Sequence, residues 1–259
     1  MRRTGTRRVH VPPRRPQSCV TATMKTRTPS REHALPPPEI TTLWDFAHQS
    51  LEGLRLGDPT FSGVTPAPAC LNVIRRFTQP GELVIDPMSG SGTALDAARL
   101  LGRRALGFDL SPRRPDILPA DARALPLPAS CAHLFFVDPP YSDNVRYSDD
   151  PRCLGRLAAP EPAFYDALEE VVREACRVLR PDGVLAWVIS DEYRRHRFTP
   201  VGFRAYERLL RHFAPVDIVC LARRNDRSRT PMWEHRARKR GFYLRGFKYL
   251  FLMRKGVVA

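Results

Sequence analysis

No apolar run in this 259-residue chain approaches the roughly 20 residues that a membrane-spanning helix needs, which excludes a helical membrane protein. The basic start, Met1 to Arg15, is not followed by the apolar core of a secretory signal, so the expected compartment is the cytoplasm. Cysteine is scarce and scattered: Cys19, Cys70, Cys131, Cys153, Cys176 and Cys220 form no C-x-x-C pair and lie at no zinc-ligand spacing with histidine. Reduced, buried thiols are expected, with no metal. The G-x-G-x-x-G fingerprint of dinucleotide sites is missing too.

Acidic charge is in short supply: 42 Lys and Arg stand against 27 Asp and Glu, a net of +15. The excess sits at the ends. Residues 1–38 carry a net +8 and residues 222–259 a net +10, which leaves the middle near −3. Such asymmetry is the footprint of a polyanion binder, because each Lys or Arg near a phosphate releases condensed counterions. Residues 1–38 also hold seven prolines and few large apolar side chains, too little to offset chain entropy. They are expected to be a disordered basic tail, with either Met1 or Met24 as the start, ahead of one domain over 39–259.

From Leu43 onward, short β-like runs alternate with amphipathic stretches, the pattern of a parallel sheet covered by helices. Strands are expected at 83–86, 105–109, 117–121, 134–137, 184–189, 216–221 and 247–253. Helices are expected over 94–101, 162–179 and 201–212. Phe164, Leu168, Val171, Val172, Ala175 and Leu179 share one helical face.

Two constellations carry chemistry. Asp86-Pro87-Met88-Ser89-Gly90-Ser91-Gly92-Thr93 joins a strand to a helix, where glycines let the backbone approach a ligand closely. Its leading acid would repel a pyrophosphate and suits a cationic ligand group. Asp109 follows at the end of the next strand, at the spacing of an acid that meets ribose hydroxyls. The second constellation is Asp138-Pro139-Pro140-Tyr141, at the end of the fourth strand on the same sheet edge. A conjugated amine is a poor nucleophile until both of its N–H groups are hydrogen-bonded and its nitrogen turns pyramidal. Asp138 supplies one acceptor and a main-chain carbonyl the other. The consecutive prolines stiffen that backbone and offer no competing N–H. Tyr141 offers a face on which an extruded base could stack.

Together the two stretches resemble the DNA amino-methyltransferases, whose cofactor loop has the form D-P-F-x-G-S-G-T and whose catalytic motif has the form [DNS]-P-P-Y. Met88 departs from the usual aromatic and can fill the same space. The resemblance runs over roughly residues 40–255. It implies an α/β fold, a doubly wound Rossmann-like methyltransferase sheet that ends in an antiparallel β-hairpin. It implies S-adenosylmethionine as cofactor, held by Thr65, Pro66, the 86–93 loop, Asp109, Asp121 and Ala122, and catalysis by Asp138, Pro139, Pro140 and Tyr141. Asp121 would accept from the adenine amine of the cofactor, though a simple Asp-capped turn is nearly as good a reading.

An initial Asp resembles the adenine-N6 members, so the implied activity is site-specific DNA adenine methylation, as in restriction–modification. Cytosine-N4 methylation of DNA, guanine-N2 methylation of transfer RNA and a non-catalytic nucleic-acid binder with a vestigial fold are the alternatives. The chain has no Pro-Cys dipeptide, which disfavours a cysteine nucleophile attacking cytosine. DNA, or else RNA, is the expected partner. Its contacts are assigned to Arg146 and Tyr147 in the loop 142–156, and to Arg223, Arg224, Arg236, Arg238, Lys239 and Arg240 in a basic loop over 223–245 interleaved with Trp233, Phe242 and Tyr243.

Overall fold

The computed structural model of the protein describes residues 35–58, 60, 61, 63–224 and 230–256. The expected tail, with Cys19 and Met24, lies mostly outside them, as do Arg227 and Arg229. Contacts divide the chain into two units, 1–37 and 38–259, and every element belongs to the second.

The second unit opens with strand β1 (Leu43–Trp44) and helix α1 (Ala67–Phe77). β2 (Leu83–Asp86), α2 (Thr93–Leu100), β3 (Arg104–Asp109) and β4 (Ile117–Pro119) follow. Then come β5 (Ala132–Val137), α3 (Pro162–Val178) and β6 (Leu179–Ile189). The chain ends with β7 (Glu192–Arg194), β8 (Arg197–Thr199), α4 (Val201–Leu209), β9 (Ala214–Ala222), α5 (Pro231–Arg240) and β10 (Phe247–Arg254).

Eight strands form one sheet in the order β1-β9-β10-β6-β5-β2-β3-β4. Strands β2 to β6 pair in parallel, β1 pairs in parallel with β9, and β10 runs antiparallel to both β6 and β9. This is the doubly wound sheet with a closing β9–β10 hairpin that the sequence implies.

The strands read as continuous apolar runs because both faces are covered. Ile85, Phe135, Val137, Leu185 and Trp187 pack with Phe164, Leu168 and Val171 of α3 and Leu209 of α4. The alternate residues Val84, Leu134, Phe136 and Val188 are buried as well, and α1 packs with α2 beside β2, β3 and β5. Pro181, Asp182 and Gly183 form a bulge that slips the β5–β6 register between Ala132 and Leu134, with Asp182 at φ 63°. From β2 the chain winds outward through β3 to β4, then returns to β5 on the other side of β2 and continues to β6. The winding therefore reverses between β2 and β5, where the carboxyl ends of a doubly wound sheet leave a crevice.

Two elements depart from the expectations. The basic stretch expected as a loop contains helix α5. It has the signals of a helix, Thr230 accepting from the Trp233 backbone N–H at its start, Pro231 in its first turn and Gly241 at φ 65° after its end. It lacks an apolar stripe, since Ala237 alone among its residues is buried, and periodicity therefore misses it. Strands β7 and β8 make a separate two-stranded hairpin whose tip, Arg195 and His196 at φ 51° and 64°, holds none of the glycine or asparagine that usually marks such a turn.

Phe164 is completely buried between α3 and the sheet. Phe164→Ala is expected to cost about 3–5 kcal/mol, read as a lower urea midpoint with little change in the slope of the transition.

Candidate active site

The carboxyl edge of the sheet brings Asp86, Asp109, Asp121 and Asp138 from β2, β3, β4 and β5 around one cleft. Its empty space, counted out to the open mouth, is about 1110 Å3. After β2 the chain turns back at once: Ser89 N–H donates to Phe108 O at 2.9 Å, Ser89 Oγ to Asp86 O at 2.8 Å and Gly92 N–H to Ser89 O at 2.6 Å. Gly90 and Gly92 sit at φ 41° and 77°, and a Cβ on Gly90 would stand 2.8 Å from the Phe61 ring. Asp109 fastens the loop from the next strand, with Oδ2 accepting from Gly90 N–H at 3.1 Å and Oδ1 from Ser111 N–H at 2.9 Å. Arg114 props it from behind, bridging Asp96, Asp116 and the Ser91 carbonyl.

Asp86 is buried, and its side chain accepts from Met88 N–H at 3.1 Å. Burial, reinforced by the nearby carboxylates of Asp109 and Asp138, pushes its carboxyl up to about 8. No cation among the described residues pairs with it. A buried carboxyl placed this way in an open cleft fits a cationic ligand group, which would relieve the cost of ionising it.

Asp138 is held differently. Its Oδ1 accepts from the Tyr141 hydroxyl at 2.6 Å, while Oδ2 accepts from the Thr65 hydroxyl and from Lys248 Nζ at 3.1 Å. Lys248 is itself buried and comes from β10, and its ammonium also lies 5.4 Å from the centre of the Tyr141 ring. A carboxylate offers about four lone-pair sites. Three are filled here, and one on Oδ1 remains for a further donor. Burial and the Asp138 charge raise the Tyr141 phenol well above its ordinary range, so it stays a donor. Its ring lines the cleft, but the ammonium over it takes part of the stacking surface expected from the sequence.

Among the other expected residues, Thr65, Asp86, Pro87, Met88, Ser89, Gly90, Ser91, Thr93, Asp109, Asp121 and Ala122 line this cleft together with Asp138, Pro140 and Tyr141. Pro66 lies at the start of α1 and Gly92 at the start of α2. Thr65 lines the cleft and also donates to the Asp138 carboxylate. Asp121 grips Arg123 through both oxygens at 2.9 and 2.7 Å, which leaves its carboxylate engaged before any ligand arrives.

The loop 142–156 contributes Tyr147, Ser148, Cys153 and Leu154 to the lining of the cleft. Tyr147 stacks on Phe61 with centroids 6.3 Å apart, and burial pushes its phenol up to about 12. Arg146 pairs with Asp149. Arg224 is clamped to Asp45, Arg236 lies over Trp233, Arg238 faces Glu234 and Arg240 meets His196, all outside the cleft. Sequence reading missed Lys248. Lys248 reaches Asp138 from 110 residues downstream, and no local motif announces it.

Residues 21–118 match the family model of the N6/N4 DNA methylases. This segment is similar to that family. The cofactor that the N6/N4 match implies is S-adenosylmethionine, and the matched residues include Thr65, the 86–93 loop and Asp109 but stop before Asp138. Among solved structures, TrmN from Thermus thermophilus is 18% identical, with 75% of this chain and 50% of that chain covered and a TM-score of 0.49. The [4+2]-cyclase SpnF is 16% identical over 78% of this chain and 86% of its own, with a TM-score of 0.48. Geranyl diphosphate methyltransferase in complex with SAM is 15% identical over 78% of this chain and 93% of its own, also with a TM-score of 0.48. The likeness spans half the length of TrmN, and at these identities it concerns the fold alone. No curated protein sequence matches the chain.

Asp86 keeps its proton to about pH 8 in the folded chain, whereas an unfolded Asp loses it near pH 4. Its contribution to stability is therefore complete in acid and is lost as pH rises from about 4 to about 8. Asp86→Asn stays neutral throughout and is expected to gain stability relative to the parent across that window. Urea midpoints of both proteins at several pH values check this; a difference that does not change with pH removes the assignment.

Proposed function

We propose that this protein is an S-adenosylmethionine-dependent methyltransferase acting on an exocyclic amine of a nucleic-acid base, most favourably adenine N6 in DNA. The observation that carries the reading is the environment of Asp138. A carboxylate with one open acceptor site stands beside two consecutive prolines, at the mouth of the cleft that holds the Gly90–Gly92 loop.

Bound at that loop, S-adenosylmethionine supplies an electrophilic methyl group. Asp86, the loop backbone and Asp109 would hold it, Asp86 toward a positive group and Asp109 toward hydroxyls. The residues around Asp138 then deal with the amine. Its nitrogen is delocalised into the ring, and the free site on Oδ1 accepts one N–H while a carbonyl of the Asp138–Tyr141 backbone accepts the other. Methyl transfer to that nitrogen would leave it positively charged, and Asp138, already accepting that N–H, would take up the proton it releases. Thr65, Tyr141 and Lys248 fix the carboxylate in place, so little reorganisation is needed when charge develops. A carboxylate at the head of the tetrapeptide is what favours adenine. Site-specific methylation of cellular DNA, of the restriction–modification kind and in the cytoplasm, is the setting that this reading suggests. No described helix is long and apolar enough to cross a membrane.

Incubation with labelled S-adenosylmethionine and either duplex DNA or total RNA, followed by mass spectrometry of the nucleosides, tests the reading. N6-methyladenine in DNA is the expected product; N4-methylcytosine or N2-methylguanine would move the assignment to another amine, and no labelled nucleoside would overturn it. Asp138→Ala is expected to abolish transfer with nearly unchanged cofactor affinity by calorimetry. Lys248→Met removes a charged hydrogen bond of about 1.5–3 kcal/mol, so kcat is expected to fall roughly ten- to a hundredfold with cofactor affinity preserved, and Lys248→Arg should recover part of it. A loss confined to KM would show that Lys248 does not position Asp138.

A further inference from the structure

Outside the cleft, the structure joins two basic elements into one surface. The β7–β8 hairpin pairs Glu192 with Thr199, Tyr193 with Phe198 and Arg194 with Arg197. Its tip exposes Arg195 and Arg197, and neither has an ion-pair partner among the described residues. Phe198 is 47% exposed, with the Arg245 guanidinium 5.2 Å from its ring centre. The end of helix α5 meets this hairpin: Arg240, its last residue, is 3.1 Å from His196, and Phe242, just beyond α5, stacks on Tyr193 at 4.3 Å and 13°. The other side chains of α5 add Arg236, Arg238 and Lys239, with Trp233 under the Arg236 guanidinium at 5.0 Å.

Cationic side chains crowded on one surface repel one another unless an anion shares it, so the surface is complementary to a polyanion. Aromatic rings among the cations suit a strand that carries bases as well as phosphates. The root of the hairpin is fastened to the segment after Tyr141, where Arg194 pairs with Asp143 and Asn144 Nδ2 donates to Glu192 Oε1 at 2.6 Å. The basic surface is thus tied to the loop that follows the catalytic tetrapeptide.

We propose that the β7–β8 hairpin and α5 together clamp the sugar–phosphate strand flanking the target base, with Arg195 and Arg197 on phosphates and Phe198 against a neighbouring base. This rests on the nucleic-acid substrate proposed above.

The test is anisotropy of labelled single-stranded and duplex oligonucleotides with the full chain over a salt series. Paired Arg195→Ala and Arg197→Ala substitutions are expected to weaken binding at least tenfold and to reduce the slope of log affinity against log salt by about 1–2, since each phosphate contact contributes about 0.7–0.9. Cofactor affinity and melting temperature should not move. Phe198→Ala should lose affinity with the slope unchanged, and Arg173→Ala on α3 should change nothing. Wild-type affinity and slope in the double variant, while the parent binds and methylates nucleic acid, would overturn the clamp and leave the proposed activity standing. A parent that binds cofactor but no nucleic acid would overturn the activity itself. Loss of binding to anionic phospholipid vesicles in place of oligonucleotides would assign the surface to lipid and overturn the proposal.

Discussion

Burying carboxylates at the carboxyl edge of a parallel sheet is the constraint on which this structure depends. Removing an ionised carboxylate from water costs far more than a hydrogen bond returns, unless a cation or several donors replace the solvent. Four acids face that cost along one edge; three of them meet it with partners and one does not. Asp109 takes two backbone N–H groups, Asp121 takes a guanidinium, and Asp138 takes two hydroxyls and an ammonium. Asp86 takes a single backbone N–H and keeps its proton.

That difference sorts the roles. Asp138 is saturated but for one acceptor site, so it can receive one donor and has little freedom to turn. Asp86 is under-satisfied, and a positive group entering beside it would favour its ionised form. The two stand near enough for the charge of Asp138 to be felt at Asp86. A cation drawn toward Asp86 would enter a cleft that already presents an oriented acceptor at Asp138, as the proposed transfer to an amine needs.

Much of this was legible in the sequence, for physical reasons particular to each element. Leu83 to Asp86 and Leu134 to Val137 are apolar runs that end in acids, and α3 carries its core residues on one stripe, so local pattern and tertiary burial agree. The glycine loop was legible because Gly90 and Gly92 do what other residues resist. Helix α5 was hidden because its sequence is polar all round and only its caps signal a helix. The β7–β8 hairpin was hidden because its turn is made by Arg195 and His196, which carry no turn signal. Lys248 was hidden because its meaning depends on register between strands far apart in sequence.

The antiparallel direction of β10 connects these hidden parts. Every parallel strand of the sheet brings its carboxyl end to the cleft edge. A strand running the other way brings its beginning there, and β10 begins at Phe247 and Lys248, with Tyr249 opposite Ile189 at the end of β6. Its second residue thereby becomes the cation beside Asp138. The same reversal determines what precedes it in the chain. The segment leading into β10 must approach along the cleft edge, and that segment is α5 with the basic residues after it. One antiparallel strand thus places both the ammonium beside the Asp138 carboxylate and the approach of the basic α5 segment on the side of the sheet where the parallel strands deliver their acids.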